Sequence, residues 1–467
     1  MFLSTRDYDY FYKFIVSASK ISCENLLKEN LSLLLFKKKL LLSSNYLFFL
    51  VKIIFFGQIF KKNRAQINFD GIEIGRFALA KTYGDFECYL NKFKFYKVLI
   101  KNFLHIGFLL YSCEYYYKKY NIKGVYVDHC GYLNGVIYAF FAQKKLFVYT
   151  NNYPLGIFFV NLKKNNNAHL IKYEDCLKIS KKKKLNNFEK KNCLKKLSSI
   201  TKNKNFIPWL EKLNFKKLDD INYQIYDYVI YAHSFIDAQM LYGYDGFENT
   251  MQWLEFTLDE FKDTEKKILI KPHPNFYNNS LAEFAQWDRY IYKKIVKKYK
   301  KYQNFLFLES PTHNYSLSKK LRKNCVVISQ HGSVILETSY MNFKSISSAY
   351  NFFDKKFNIS NVWDNRKKYS ELLRCKHQHL VRPNRNHLLE LIYSLFYFYH
   401  SEYHSNCFVN IIKKNLGLTK KMYEERFHHK ARNKISSAQI IKFNKYIKLK
   451  EKNIINEISN TIWHVKN

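Results

Sequence analysis

Short apolar runs alternate with longer amphipathic segments over the second half of the chain. Four runs have the length and the apolar content of buried strands, at 228–232, 267–270, 305–308 and 325–329. Segments with helical periodicity follow them, at 250–261, 282–300, 315–322 and 334–341. Strands that alternate with helices in this way predict a parallel sheet with helices on both of its faces.

The first half of the chain contains one clear unit of the same kind. Residues 124–127 and 146–150 are β-rich runs, and the segment between them, 132–143, has a helical pattern. This order predicts a βαβ unit with parallel strands and a right-handed crossover. Upstream, 67–74 is compatible with a strand that turns into a helix beginning near Arg76, and 103–120 predicts another helix.

These patterns predict an α/β protein with two doubly wound domains and a helical extension at each end. We assign 1–66 to a helical N-terminal extension, 67–222 to the first domain, 223–384 to the second and 385–467 to a helical, basic C-terminal region. The usual domain size of about 150 residues agrees with two or three domains in this length.

The chain is strongly basic, because 78 Lys and Arg stand against 38 Asp and Glu, a formal net charge of +40 in 467 residues. An apolar fraction of 47% excludes disorder as the main state. The wealth of Lys, Asn, Ile, Phe and Tyr resembles AT-rich codon usage, which would account for part of the basic excess. The remainder implies an anionic partner such as a phosphate-bearing substrate, an acidic membrane face or nucleic acid. The lysines are spread along the chain and no nucleic-acid motif is present, so a nucleic-acid partner is not expected.

Basic residues are densest at 161–205, where 14 Lys stand against 3 acidic residues. This segment is either a solvated excursion from the first domain or a contact surface for an anionic acceptor or lipid headgroup. The apolar stretch 40–60 contains Lys52, which disfavours a membrane-spanning helix and favours a buried or interfacial one. We therefore expect a cytoplasmic protein that can contact the inner face of the cytoplasmic membrane peripherally.

The nine cysteines support neither a zinc site nor a disulfide framework, because their number is odd and no two form a C-x-x-C pair. This usage fits a reducing cytosol. No Asp-x-Asp pair stands in the strand-end loops of the second domain. We therefore expect neither a metal nor a bound cofactor.

Polar residues follow each of the four predicted strands of the second domain. They are His233 after the first strand, Lys271 and His273 after the second, Thr312 after the third, and His331, Gly332 and Ser333 after the fourth. Ligands of parallel α/β sheets bind beyond the carboxyl ends of the strands. These residues are therefore expected to line one crevice.

The residue types in these loops suit a phosphate-bearing ligand. His273 and His331 can donate to phosphate oxygens. Gly332 lets backbone N–H groups come close to a ligand, and Ser333 suits the N-cap of a helix whose N-terminus attracts phosphate. Glu337, in the first turn of that helix, can accept hydrogen bonds from ribose hydroxyls. A capped helix and a proline-stiffened loop remain the structural alternatives.

In the first domain, Asp128 and His129 follow the strand 124–127. A carboxylate at that strand end could take the proton from an attacking hydroxyl group. It could equally cap the helix that follows.

Taken in order, these motifs resemble the capsule polysaccharide biosynthesis group of bacterial surface-carbohydrate glycosyltransferases, which have the GT-B fold. The matching runs are Ala-His-Ser-Phe-Ile-Asp-Ala at 232–238, Trp-Leu at 253–254, Ile-Lys-Pro-His-Pro at 270–274, Gln-His-Gly-Ser at 330–333 with Glu337, Phe-Asp-Gly-Ile-Glu-Ile-Gly at 69–75 and Val-Asp-His-Cys-Gly-Tyr-Leu-Asn-Gly at 127–135. Each run is short, and their order across 67–350 carries the resemblance. The chain departs from the group at Arg76, where an acidic residue is common, and in the Lys-rich 161–205 segment.

The resemblance implies two Rossmann-like domains that face a cleft. It implies metal-independent transfer of a sugar from a nucleotide-activated donor to a hydroxyl group of a growing surface polysaccharide or glycolipid. His233, Lys271, His273, Thr312, His331, Gly332, Ser333 and Glu337 would bind the donor, with His273 also catalytic and Asp128 on the acceptor side. Teichoic-acid-type polyol-phosphate transfer and nucleotide-sugar 2-epimerisation are the alternatives on the same fold.

Overall fold

The structure is a computed structural model. It describes residues 43–61, 63–119, 124–127, 131–144, 147–151, 157–161, 185–202, 215, 218, 220–237, 239–240, 242–277, 282–351 and 357–393. These residues form two compact units. The first unit takes its described residues from within 1–78 and 100–172, and the second from within 79–99 and 173–393.

The described N-terminal part contains four helices and three strands. They are α1 (Ser44–Phe55), α2 (Ile74–Tyr83), α3 (Lys92–Lys119), β1 (Gly124–Val127), α4 (Asn134–Gln143), β2 (Phe147–Asn151) and β3 (Ile157–Asn161). Strands β1 and β2 are parallel and α4 connects them. The predicted βαβ unit is therefore confirmed.

Strand β3 runs antiparallel to β2, so the three strands form a mixed sheet instead of the purely parallel sheet that we expected. The length of the connection explains the direction. Only 152–156 separate the two strands, whereas a parallel neighbour needs a crossover of about a dozen residues or more. Pro154 and Gly156 in this short connection are turn signals that the sequence already carries.

The strand predicted at 67–74 is wrong. Phe69 and Ile72 form an isolated antiparallel bridge around a two-residue turn. Asp70 and Gly71 occupy that turn with φ angles of 48° and 75°, as a type I′ turn requires. The Asp-Gly pair therefore reverses the chain at once, and helix α2 begins at Ile74 instead of near Arg76.

The second unit contains one six-stranded sheet. Its strands are β4 (Tyr228–Tyr231), β5 (Ile268–Lys271), β6 (Phe305–Phe307), β7 (Val326–Ser329), β8 (Lys344–Ser348) and β9 (Asn361–Trp363). Every pairing is parallel, and the order across the sheet is β6-β5-β4-β7-β8-β9. Counted within this sheet the order is 3-2-1-4-5-6, which is that of the Rossmann fold. The mixed α/β class and the parallel sheet predicted for this half are confirmed.

Helices of the second unit form two groups that pack on opposite faces of the sheet. They are α5 (Asn187–Lys202), α6 (Thr250–Phe261), α7 (Ala282–Tyr299), α8 (Asn314–Lys320), α9 (Val334–Tyr340), α10 (Arg366–Arg374) and α11 (Arg385–Tyr393). Helix α6 contacts α7 and α10, and α5, α8, α9 and α11 contact one another. Alternate strand residues face the two groups: Ile230 packs with α6 and α7, whereas the Tyr231 hydroxyl lies 3.3 Å from Ser318 Oγ of α8.

Part of the Lys-rich segment belongs to the core of the second unit, although our sequence analysis assigned 161–205 to the first domain. Helix α5 buries Cys193, Leu197 and Ile200 and contacts α9 and α11. Helix α11 is the described part of the predicted C-terminal helical region. No helix among the residues described here combines the length and the apolarity needed to cross a membrane.

Candidate active site

Three histidines lie at the carboxyl ends of the three central strands of the six-stranded sheet. His233 follows β4, His273 follows β5 and His331 follows β7. These strands are neighbours in the order β5-β4-β7. The order of the sheet reverses between β4 and β7, and such a switch point is where α/β sheets bind their ligands.

The three rings form one group, which we call the histidine cluster. The ring centre of His233 lies 5.1 Å from that of His273 and 4.6 Å from that of His331. His233 thus stands between the other two rings. Loops that are about forty to sixty residues apart in the chain therefore present three imidazoles to the same place.

Hydrogen bonds fix how two of the rings carry their protons. The backbone N–H of Asn275 donates to Nδ1 of His273 over 3.2 Å, so neutral His273 carries its proton on Nε2. Nδ1 of His233 lies 3.4 Å from the Ser234 carbonyl, to which it can only donate. Nε2 of His331 is buried without a hydrogen-bond partner among the described residues. A ligand can therefore pair with the His331 nitrogen and with the Nε2–H of His273.

Burial keeps the cluster neutral. Desolvation lowers the pKa of His273 and His331 well below the usual histidine value, and the neighbouring His233 lowers both further. Lys271 and His331 also lower the pKa of His273. Burial lowers the pKa of His233 too, although the Asp237 carboxylate opposes that shift. The neutral rings can donate hydrogen bonds, and an anion beside them would favour their charged forms.

Gly332 shapes the turn after β7, but Ser333 does not cap helix α9 as predicted. Gly332 has φ +125°, and a Cβ built on it would meet nothing closer than 3.9 Å, so its backbone conformation selects glycine. Ser333 has helical dihedral angles and makes no side-chain cap hydrogen bond. Its hydroxyl instead donates to Oε1 of Glu337 over 3.0 Å. The helical dihedral angles explain the missing cap, because a capping serine has an extended backbone from which its oxygen accepts a backbone N–H of the first turn.

Glu337 is held by protein donors on both of its oxygens. Asn314 donates to Oε2 over 2.9 Å, and Ser333 occupies Oε1. Burial raises the pKa of this carboxyl, while the two donors and the nearby Lys271 oppose the shift. The predicted contact of Glu337 with ribose would have to share these oxygens.

Lys271 and Thr312 are buried beside the strand ends. Lys271 is the last residue of β5, and its Nζ lies 3.4 Å from the Pro272 carbonyl and 5.7 Å from the centre of the Tyr231 ring. Burial lowers the pKa of Lys271 to about 8, with Glu337 acting in the opposite direction. The Thr312 hydroxyl donates to the Ser310 carbonyl over 3.3 Å. Lys271 is therefore a buried source of positive charge close enough to His273 to lower its pKa.

Polar side chains that no sequence motif singles out hold the loop after β4 in place. Asp288 of α7 accepts from the Ser234 hydroxyl and from the Phe235 backbone N–H, each over 2.7 Å. The Gln239 side chain donates to the carbonyl oxygens of Ser234 and Asp237 and accepts from the Thr250 N–H. Burial raises the pKa of Asp288 to about 7. No local motif surrounds Asp288, so only the fold shows its role.

A second network joins the loop after β7 to the same region. Gln330, next to His331, accepts from the Thr250 hydroxyl over 3.1 Å and donates to Asp245 over 3.1 Å. The Ser329 hydroxyl lies 3.2 Å from the Tyr231 carbonyl and 3.0 Å from that of His331. These contacts fix the ends of β4 and β7 relative to each other, so the histidine cluster is preorganised.

The acceptor-side residue Asp128 lies outside the described residues, as does His129. Its role as a base stays a prediction. Within the part of the chain that the structure describes, no group of three or more His, Cys, Asp or Glu side chains is arranged to hold a metal ion.

Comparisons with known proteins add little to this geometry. No family model and no curated protein matches the chain. A similar solved structure is UDP-GlcNAc 2-epimerase from Methanocaldococcus jannaschii in complex with UDP-GlcNAc and UDP, which is 14% identical, covers 63% of this chain and 81% of its own, and has a TM-score of 0.27. A similarity at this score carries no argument. The α/β class stands on the strands and helices of this chain, and the resemblance to the capsule group stays a prediction.

Proposed function

We propose that this protein is a glycosyltransferase that binds a nucleotide-activated sugar at the histidine cluster. The observation that carries the proposal is the convergence of His233, His273 and His331 at the switch point of a 3-2-1-4-5-6 parallel sheet. The order of the motifs across the chain, which resembles the capsule polysaccharide group, supports transfer to a surface polysaccharide or glycolipid.

The phosphate groups of the donor would be the part that the cluster recognises. Cleavage of the bond between the sugar and the phosphate places negative charge on the leaving oxygen, and preorganised donors aimed at that oxygen lower the barrier. The Nε2–H of His273 and the unpaired Nε2 of His331 are available for this task. An approaching phosphate favours the imidazolium form, so the rings become stronger donors as charge develops.

Lys271 and the turn at Gly332 complete the proposed donor site. The buried Lys271, whose pKa is lowered to about 8, adds positive charge near His273 below that pH. Gly332, which the positive φ of this turn requires, has no side chain and so lets a ligand come close to the backbone. Together these groups can take over the charge neutralisation that a divalent cation supplies in other transferases, so transfer should survive treatment with EDTA.

Asp128 is our proposed base for the acceptor hydroxyl. The change Asp128→Asn removes the proton acceptor and keeps the size of the side chain. We expect transfer to fall by about 10²–10⁴-fold while nucleotide affinity stays at the wild-type value. Loss of nucleotide affinity in this variant would contradict the assignment.

The reaction is tested with the purified protein and radiolabelled donors. A thermal-shift screen of UDP, GDP, CDP and CMP first identifies the nucleotide, because a ligand that binds the native state raises its melting temperature. The matching labelled sugar donor is then incubated with and without membrane-derived glycan acceptors. Acceptor-dependent transfer of label is expected. Epimerisation of the sugar without acceptor, or transfer of a polyol phosphate, would overturn the proposal in favour of the corresponding alternative reaction.

A further inference from the structure

Helix α1 presents apolar side chains on two faces, and only one of them is buried in the protein. Tyr46, Leu50 and Ile53 are buried in the first unit. The opposite side of the helix carries Leu47, Phe48, Val51 and Phe55, all exposed, and the exposed Phe56 and Phe60 follow in the chain. A helix that is apolar all round is normally buried on all sides.

The exposed residues form one continuous stripe, which we call the outer face of α1. At 100° per residue, Leu47, Phe48, Val51 and Phe55 fall within an arc of about 100°. Phe48 is 74% exposed and Phe55 is 81% exposed. Scattered single apolar residues on a surface need no explanation, but a stripe of this kind marks a contact surface.

The charged residues of the segment that carries the outer face are all basic. Residues 43–69 contain Lys52, Lys61, Lys62 and Arg64 and no Asp or Glu. The side chains of Lys52 and Lys61 are exposed. A second copy of the chain, docked face to face about a two-fold axis, would bring these cations against themselves. An anionic surface is the complementary partner.

We propose that the outer face of α1 docks on the surface of an anionic phospholipid bilayer, with its aromatic side chains at the level of the headgroups. A helix of 12 residues is about 18 Å long, too short to span a hydrocarbon core of about 30 Å, but suited to lie in the interface plane. Burial of the apolar stripe in the bilayer interface supplies binding free energy, and the flanking cations favour acidic over neutral lipid. This inference is independent of the proposed function.

The test is co-sedimentation of the full chain with lipid vesicles. One set contains phosphatidylcholine alone, and in the other phosphatidylglycerol replaces a third of it. Wild type should partition onto the acidic vesicles. The double variant Phe48→Gln/Phe55→Gln should lose at least about tenfold in partition coefficient. Phe93→Gln is the matched control, because Phe93 is 78% exposed and lies outside α1.

Charge is tested separately with Lys52→Glu/Lys61→Glu, which should abolish the preference for acidic over neutral vesicles. Melting temperature and nucleotide-induced thermal shifts of the Phe48→Gln/Phe55→Gln variant should match those of the wild type, because the replaced side chains are exposed. These readouts separate a failure of this inference from a failure of the proposed function.

Four outcomes would overturn the inference: two in the vesicle assay and two in the controls. In the vesicle assay, they are wild-type protein that does not bind acidic vesicles and a double variant that binds them as well as the wild type. In the controls, one is a change from dimer to monomer in the double variant by light scattering, which would make the outer face an interface between copies. The other is a large drop in its melting temperature, which would mean that other residues of the chain cover the face.

Discussion

Burial makes the imidazoles of His273 and His331 poor bases, because desolvation penalises their charged forms. In the same buried setting, the pKa of each ring is sensitive to a neighbouring negative charge. A phosphate placed at the cluster favours the imidazolium, so the pKa of each ring rises when the ligand binds. If a nucleotide binds at the cluster as proposed, its binding should therefore be linked to the binding of protons.

The linkage gives a pH dependence with a definite sign. The pKa values of His273 and His331 lie well below their usual range in the free protein, and we expect a bound phosphate to raise them, so that the complex binds more protons. Nucleotide affinity should then fall as the pH rises from the lowered pKa of the free rings to their higher pKa in the complex. Titration calorimetry in two buffers of different ionisation enthalpy should show net proton uptake. Binding without proton uptake at any pH would show that the phosphate does not meet the cluster.

The residues of this site differ in how far the sequence could predict them. The positions of His233, His273 and His331 at strand ends followed from the apolar runs before them, and the structure brings the three together. The side chains that hold these loops in place could not be predicted from the sequence. Asp288 contacts Ser234 and Phe235 from more than fifty positions away, and such a contact leaves no local pattern.

At the scale of elements, the carboxylate of Asp288 holds the loop after β4 in its conformation. The change Asp288→Ala removes this carboxylate and leaves the Ser234 hydroxyl and the Phe235 N–H buried without an acceptor. Each unsatisfied donor lowers the stability by about 1–3 kcal/mol. We expect the free energy of unfolding to fall by about 2–5 kcal/mol, measured by urea denaturation with tryptophan fluorescence. Asp259→Ala on α6, whose carboxylate is about half exposed and pairs with Lys262, is the control and should change stability by less than about 1 kcal/mol. Equal effects of the two changes would refute the role of Asp288.

The second half of the chain could be predicted because its elements have strong periodicity and clear ends. Helix α6 spans Thr250–Phe261 as predicted, since Asn249 caps it and the pattern of Trp253, Leu254 and Leu258 points to one core. The first half could not be predicted as well. The Asp70-Gly71 turn breaks a run that looks strand-like, and the direction of β3 depends on the length of the connection before it.

At the scale of the whole molecule, charge and fold have separate consequences. The net charge of +40 favours anionic partners in general, and it does not specify a nucleic acid. We propose two places for such partners among the described residues. One is the histidine cluster of the second unit, suited to phosphate, and the other is the outer face of α1 in the first unit, suited to acidic lipid.

The account depends most on the histidine cluster as the nucleotide site, and the affinity of single histidine variants tests it most directly. Titration calorimetry compares the wild type with His273→Ala, His331→Ala and the control His379→Ala, which removes an exposed histidine elsewhere in the second unit. We expect the two cluster variants to fold and to bind the nucleotide at least about tenfold more weakly, with turnover lower by about 10²–10³-fold, and the control to match the wild type. Wild-type nucleotide affinity in both cluster variants would contradict the account.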